Sequence, residues 1–231
     1  MIKIKKDAFT LSEVLITLAV IGTLAALVIP GLIKDTSNRA ATSLIQSTVS
    51  TLNSAVQNEL VQRSTTNVRN TDIMSAPAEF LKRNFDVAKV CSTETPNECY
   101  ANTSTDYKNL KGGTVGLWYT KQAVLLKNGV TIDISPSNAG SFNNKFLPIS
   151  IDLNGPEPPN IAGIDRHIVC VALDTDIEAG IHSGDVGACL RNGYTRNDTR
   201  AKLLNACKSG NTEICYYLME ISGFDPNYMN N

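Results

Sequence analysis

Six cysteines and two histidines are the side chains of this 231-residue chain best suited to covalent or metal chemistry. Their spacing argues against both. Cys91, Cys99, Cys170, Cys189, Cys207 and Cys215 include no C-x-x-C pair, and His167 and His182 stand in no metal-binding motif. The chain holds no G-x-S-x-G elbow and no phosphate-cradling Gly-rich loop followed by Lys. No catalytic residue is expected, and the chain does not read as an enzyme. An even number of thiols without zinc-ligand spacing instead suits disulfides in an oxidising compartment.

Many pairings are open to six cysteines, and the sequence alone does not choose among them. Neighbour pairing is the expectation: Cys91 with Cys99, Cys170 with Cys189, and Cys207 with Cys215. On one continuous helix Cys207 and Cys215 would lie about 12 Å apart, beyond the roughly 7 Å reach of a bridge. Lys208-Ser209-Gly210-Asn211 between them reads as a helix stop and turn, which would let two short helices fold back.

Acidic residues offer the other chemistry. Glu13 is the one ionisable group in the apolar run Phe9–Ile33. A carboxylate within such a run costs a few kcal/mol on insertion unless it reaches the interface or finds a partner. The segment from Asp152 to Asp165 (DLNGPEPPNIAGID) gathers carboxylate and amide oxygens around Gly155, a composition that could wrap a hard cation such as Ca²⁺ through Asp152, Asn154 and Asp165. The same residues are ordinary turn formers, and their spacing is not that of an EF-hand. Asp174-x-Asp176-x-Glu178 reads as a solvated strand end.

The elements that would position these groups begin at the N-terminus. Lys3, Lys5 and Lys6 precede the run from Phe9 to Ile33, which as a helix is about 37 Å long and can cross a hydrocarbon core of about 30 Å. The lysines place the N-terminus in the cytoplasm and the cysteines outside. Three readings compete. A secretory signal peptide has a shorter apolar region, and Ala25-Ala26 is a weak cleavage site. A plain membrane anchor leaves Glu13 without a role. A cut precursor that assembles gives it one: cleavage between Ala8 and Phe9 would create an α-amino group, and a neighbouring subunit displaced along the helix axis could set that charge against Glu13.

The stretch KKDAFTLSEVLITLAVIGTLAALVIPG resembles the N-terminal segment of type IV prepilins and type II secretion pseudopilins. It has the short basic leader, a small residue at the cut, the following Phe, and Glu four residues on. The resemblance implies cleavage after Ala8 by a prepilin peptidase, methylation of the Phe9 amine, and assembly through Glu13, with Gly22 and Pro30 at the helix-weakening positions. Ala8 stands where the family usually has Gly, and Asp7 adds an acid to the leader. Pro30 cannot donate to the carbonyl of Ala26, so a kink or melted turn is expected. Implied partners are the peptidase, copies of the chain, other pilins, inner-membrane lipid and an assembly platform. Some secretion pseudopilins bind calcium in a sheet loop, which is the family counterpart of the Asp152–Asp165 segment.

Beyond the membrane segment, Ile45, Val49, Leu52, Val56 and Leu60 recur at helical spacing among Gln and Ser, so one helix from about residue 10 to 62 is expected. The implied order is leader 1–8, membrane or filament-core helix 9–33, amphipathic continuation 34–62 and an external domain 63–231. Residues 63–109 read as a polar connection with a short helix at 76–84. Strands are expected at 114–120, 123–127, 130–135, 147–153 and 166–173, with Asn128-Gly129 as a hairpin turn. Trp118 reads as a sheet or core residue. Residues 199–222 suit one or two short helices, and the last eight residues a loose tail. The expected class is α+β: a long N-terminal helix on an antiparallel meander, in the type IV pilin manner. With 21 basic and 22 acidic side chains, bulk charge gives no basis for nucleic-acid binding. The alternative is a single-pass receptor or adhesin that does not polymerise. Pilus and secretion subunits, major or minor, are not separated by the sequence.

Overall fold

The computed structural model describes residues 10–92, 94–101, 105–116, 122–176, 181–191 and 193–229. The chain divides into two compact units, Met1–Ala40 and Ala41–Asn231. Helix α1, Leu11–Gln62, contributes to both. In the first unit it is unbroken through Pro30, so the turn there is intact rather than melted. One missing backbone bond is tolerated where the turns on either side keep theirs.

The second unit takes in α1 from Ala41 onward, because the apolar stripe of that half is committed to a core. Ile45, Val49, Leu52, Val56 and Leu60 are all buried, while Gln46, Ser47, Ser50, Ser54 and Gln57 face outward. Two short helices follow, α2 (Asp72–Ser75) and α3 (Pro77–Asn84). Then come six strands: β1 (Val87–Ser92), β2 (Gln122–Leu126), β3 (Thr131–Ile134), β4 (Phe146–Asp152), β5 (Arg166–Ala172) and β6 (Val186–Gly187). They pair antiparallel in sequence order. Helices α4 (Arg200–Lys208) and α5 (Thr212–Ile221) close the chain. The molecule is therefore α+β, with a long apolar N-terminal helix, a six-stranded antiparallel sheet and short C-terminal helices.

The β2–β3 turn shows how the local sequence sets the register. Gly129 N–H donates to Leu126 O (3.0 Å) and Leu126 N–H to Val130 O (2.8 Å), with Gly129 at φ 90°. This is a three-residue connection with glycine in the left-handed position, rather than the two-residue turn that Asn-Gly most often signals.

The strand expected at 114–120 is described only over residues 114–116. Thr114 makes only an isolated bridge to Lys108, residues 117–120 (Trp118 among them) lie outside the described residues, and the neighbour of β2 is β1. β1 was hidden in the polar connection because its residues are mostly exposed; as an edge strand it needs no alternation of apolar side chains. Two-residue β6 is too short to leave a pattern. The C-terminal tail is docked rather than loose: Tyr228 is buried, its hydroxyl donates to Gly163 O (2.5 Å), and the Arg200 guanidinium donates to Tyr228 O.

The sheet has two different faces. Register places Val124, Ile132, Ile134, Ile149, Ile151, Val169 and Val171 on the front, in one core with the α1 stripe and with Ile214 and Leu218 of α5. The back carries Thr131 and Asp133 of β3, Ser150 and Asp152 of β4, and Arg166 of β5. These are buried too. Leu52→Ala should lower the unfolding free energy by about 2–5 kcal/mol through lost burial and a cavity, whereas Ser54→Ala on the outer face should change it by less than about 0.5 kcal/mol. Urea unfolding of the two variants measures both.

Candidate functional site

The N-terminal half of α1 is the first candidate. Thr10 caps it: its N–H and hydroxyl both donate to Glu13 Oε2 (2.8 Å each), and Glu13 N–H donates to Thr10 Oγ1 (3.3 Å). This reciprocal pair is a capping box, T-x-x-E, which satisfies donors that a helix start leaves free. The sequence carried that signal openly, and a reading of Glu13 as a membrane charge alone passes over it. From Leu11 to Ile33 the apolar side chains are exposed, Leu27 at 80%. The helix is long and apolar enough to cross a membrane, and none of its most apolar window is buried. At Gly22 and Gly31 a Cβ would meet nothing within 4 Å, so the chain's own packing does not require glycine at either position. Ala8 and Phe9, the expected processing pair, lie outside the described residues.

The six cysteines form three disulfides: Cys91–Cys99, Cys170–Cys189 and Cys207–Cys215, with Cα separations of 6.1, 5.8 and 4.8 Å. Each holds a particular joint. The first fastens the segment after β1 over the back of the sheet, where Cys99, Tyr100, Ala101, Tyr107 and Ala123 pack together. The second ties β5 to the chain just past β6. The third closes α4 onto α5 around Gly210, which turns at φ 100°. No free thiol remains for nucleophilic chemistry. His167 is buried, with Nε2 3.1 Å from Ile164 O and its ring edge-on to Tyr216. Burial pushes its pKa down to about 4, so the ring stays neutral.

The segment expected to wrap a cation turns its acids inward. Asp152 Oδ2 accepts from the Tyr107 hydroxyl (2.5 Å) and Oδ1 from Asn154 N–H (3.3 Å). Asp165 Oδ1 accepts from Ile161 N–H (2.7 Å). Asn154 Nδ2 donates to the carbonyls of Glu157 (2.5 Å) and Pro159 (2.9 Å), closing the loop on itself. Protein donors thus reach both Asp152 oxygens and Asp165 Oδ1, while Asn154 Oδ1 and Asp165 Oδ2 are buried without a donor. Among the described residues no three His, Cys, Asp or Glu groups gather as a metal site. Asp174 pairs with Arg69 (3.0 Å) and Asp176 with Lys145 (3.7 Å), both at the surface; Glu178 lies outside the described residues.

What the structure does assemble there is a buried polar cluster behind the sheet, made of Asp133, Asp152, Asp165, Arg166, Tyr100 and Tyr107, each less than a tenth exposed. The Arg166 guanidinium lies 5.8 Å from the centre of the Tyr107 ring. Burial is the main cause that raises Asp152 to about 6, against the Tyr107 hydrogen bond and the Arg166 charge. Burial, helped by the Asp152 charge, raises Asp165 to about 7. The two phenols are pushed above their usual range, burial first. Alternation of polar residues at Thr131/Asp133 and Ser150/Asp152 was visible in the sequence. It marks one face, and solvent would have covered that face equally well.

No protein-family model, no curated protein and no solved structure matches this chain.

The junction between this loop and the C-terminal helices is tight. Gly163 stands at φ 91°, and a Cβ there would fall 2.3 Å from Cys215 Sγ. Gly163→Ala should therefore destabilise strongly, by about 1–3 kcal/mol from the backbone alone and more from the clash. Tyr228→Phe should cost about 1–3 kcal/mol, since it leaves a buried carbonyl without its donor. Thermal unfolding with the disulfides intact reads both, and an unchanged midpoint for Gly163→Ala would refute the contact.

Proposed function

We propose that the chain is a filament subunit of the type IV pilin and type II secretion pseudopilin kind, held in a membrane before assembly. The observation that supports this best is the division of labour along α1. Its second half spends its apolar stripe on the domain's core, while its first half presents exposed apolar side chains from Leu11 to Ile33 with a single carboxylate. Lipid and neighbouring copies of the same helix are the two surroundings that suit such a surface.

In this reading a prepilin peptidase cuts after Ala8 and the Phe9 amine is methylated. The subunit rests in the inner membrane, N-terminus inward, with its disulfide-stapled, pilin-like domain outside. An assembly platform then transfers it to a filament in the periplasm or at the cell surface, where helices of neighbouring subunits, other pilins among them, pack side by side. Each Glu13 meets a neighbour's Phe9 amine, which fixes the axial register. Gly22, with open space around it, admits a close neighbour.

The capping box favours a second reading. Because Thr10 already occupies Glu13, the carboxylate has a role inside one chain, and a membrane-anchored receptor or adhesin that never polymerises would use it that way. Intact mass and N-terminal analysis of the protein from its native membrane separates the two. A chain beginning at Phe9 and heavier by one methyl group supports the filament; a chain still beginning at Met1 in cells with active peptidase supports the anchor. Glu13→Gln keeps a cap-competent side chain and removes the charge, since Gln also serves in capping boxes. Filament yield from Glu13→Gln should fall as far as from Glu13→Ala, about tenfold or more, the factor that about 1.4 kcal/mol of lost pairing gives. If Glu13→Gln assembles normally and Glu13→Ala does not, Glu13 works as a cap and the charge-pairing step is wrong.

A further inference from the structure

Three parts of the chain that lie far apart in sequence meet at the β6 edge of the sheet. There they enclose a cleft of about 340 Å³, at the small end of ligand cavities. Phe146, Ile181 and Val186 give it an apolar wall. Asn53 of α1, Arg196 of the loop before α4 and Glu220 of α5 give it a polar one. These polar groups have capacity to spare. Among the described residues neither the Asn53 amide nor the Arg196 guanidinium has a hydrogen bond or an ion pair, although a guanidinium carries five N–H donors. Glu220 Oε1 accepts one long bond, from Ala188 N–H (3.3 Å). Burial raises the Glu220 pKa, while that hydrogen bond and the Arg196 charge pull it down. The two charges therefore feel each other without touching. Gly187 shows how the carboxylate gains its place. Its backbone is not left-handed, yet a Cβ there would fall 2.9 Å from Glu220 Oε1. The absent side chain leaves room for the carboxylate against β6.

We propose that this cleft binds a small α-amino acid with an aliphatic side chain. The Arg196 guanidinium takes the ligand's carboxylate, for which its planar fork of donors is suited. Glu220 takes the ammonium, and the Asn53 amide can donate to the one or accept from the other. The aliphatic side chain lies against Phe146, Ile181 and Val186, where its burial adds to affinity. A ligand of single charge would answer Arg196 or Glu220 but not both; a zwitterion answers both. Every wall of the cleft belongs to the unit Ala41–Asn231, so the site does not depend on whether the chain polymerises.

The experiment is isothermal titration of the full-length chain, in a neutral detergent, with L-leucine, L-valine and glycine. Leucine or valine should bind saturably with a Kd of about 1 mM or tighter, and glycine, which has no side chain for the apolar wall, more weakly. The matching amines and carboxylic acids, each keeping one of the two charges, should bind about tenfold more weakly or not at all, as loss of a charge-assisted hydrogen bond implies. Arg196→Ala and Glu220→Gln should each raise the Kd by about tenfold or more; the glutamine keeps an acceptor for Ala188 N–H. Gly187→Ala, whose methyl pushes the carboxylate off β6, should weaken binding as well. Arg196 is exposed, so Arg196→Ala should leave the unliganded melting midpoint unchanged, which separates lost affinity from lost folding. If neither leucine nor valine binds saturably, the proposal is overturned. It is overturned equally by an affinity that Arg196→Ala or Glu220→Gln leaves intact, or by singly charged analogues that bind as tightly as the amino acid.

Discussion

A sheet of six short strands with isoleucine and valine on its front face has nothing to fold against until the second half of α1 covers it. Ile45, Val49, Leu52, Val56 and Leu60 supply that cover, and the core they enter also takes in α5. The apolar front of the sheet must be removed from water to be stable, and an isolated helix of this composition would gain little from propensity. Each makes the other possible. The rest of the domain follows from this contact, since it determines which face of the sheet turns away and must be closed by other means.

Closing that second face is where the disulfides enter. The front is filled by side chains that interdigitate, but the back bears Asp, Ser, Thr and Arg, which attract a cover only weakly. Cys91–Cys99 fastens the covering segment to the sheet covalently, and Thr131 Oγ1 donates to Cys99 O (2.7 Å) beside it. Cys207–Cys215 shapes the helical pair that presses on Gly163 and so pins the opposite rim. Covalent ties at both rims let the domain retain a polar layer that hydrophobic burial alone would not select.

The same helix gives the chain its two personalities. From Ala41 onward α1 belongs to a self-contained folded unit; before that its large apolar side chains are exposed among the described residues. That half of the helix is long and apolar enough to cross a membrane. Placing Glu13 in the first turn limits its cost, because a carboxylate there satisfies the free N–H of Thr10 and complements the positive end of the helix dipole.

Much of this was legible in the residues. The span of α1, its stripe, the helix at 77–84, four of the strands and the helical pair at the C-terminus follow from periodicity and punctuation, which are local properties of the chain. Strand β1 was not, since an exposed edge strand leaves no alternation, and β6 is too short to show one. The docking of Tyr228 depends on a carbonyl 65 residues away, a distance over which sequence spacing carries no information. Asp152 and Asp165 are the clearest case. By residue type and neighbours they suited a solvated, cation-binding loop, and the sequence by itself determined only that oxygens would gather there. Whether those oxygens met water, a metal or a tyrosine hydroxyl was decided by the tertiary fold, because the cover that excludes solvent from them comes from Tyr100 and Tyr107, far earlier in the chain and held in place by a disulfide.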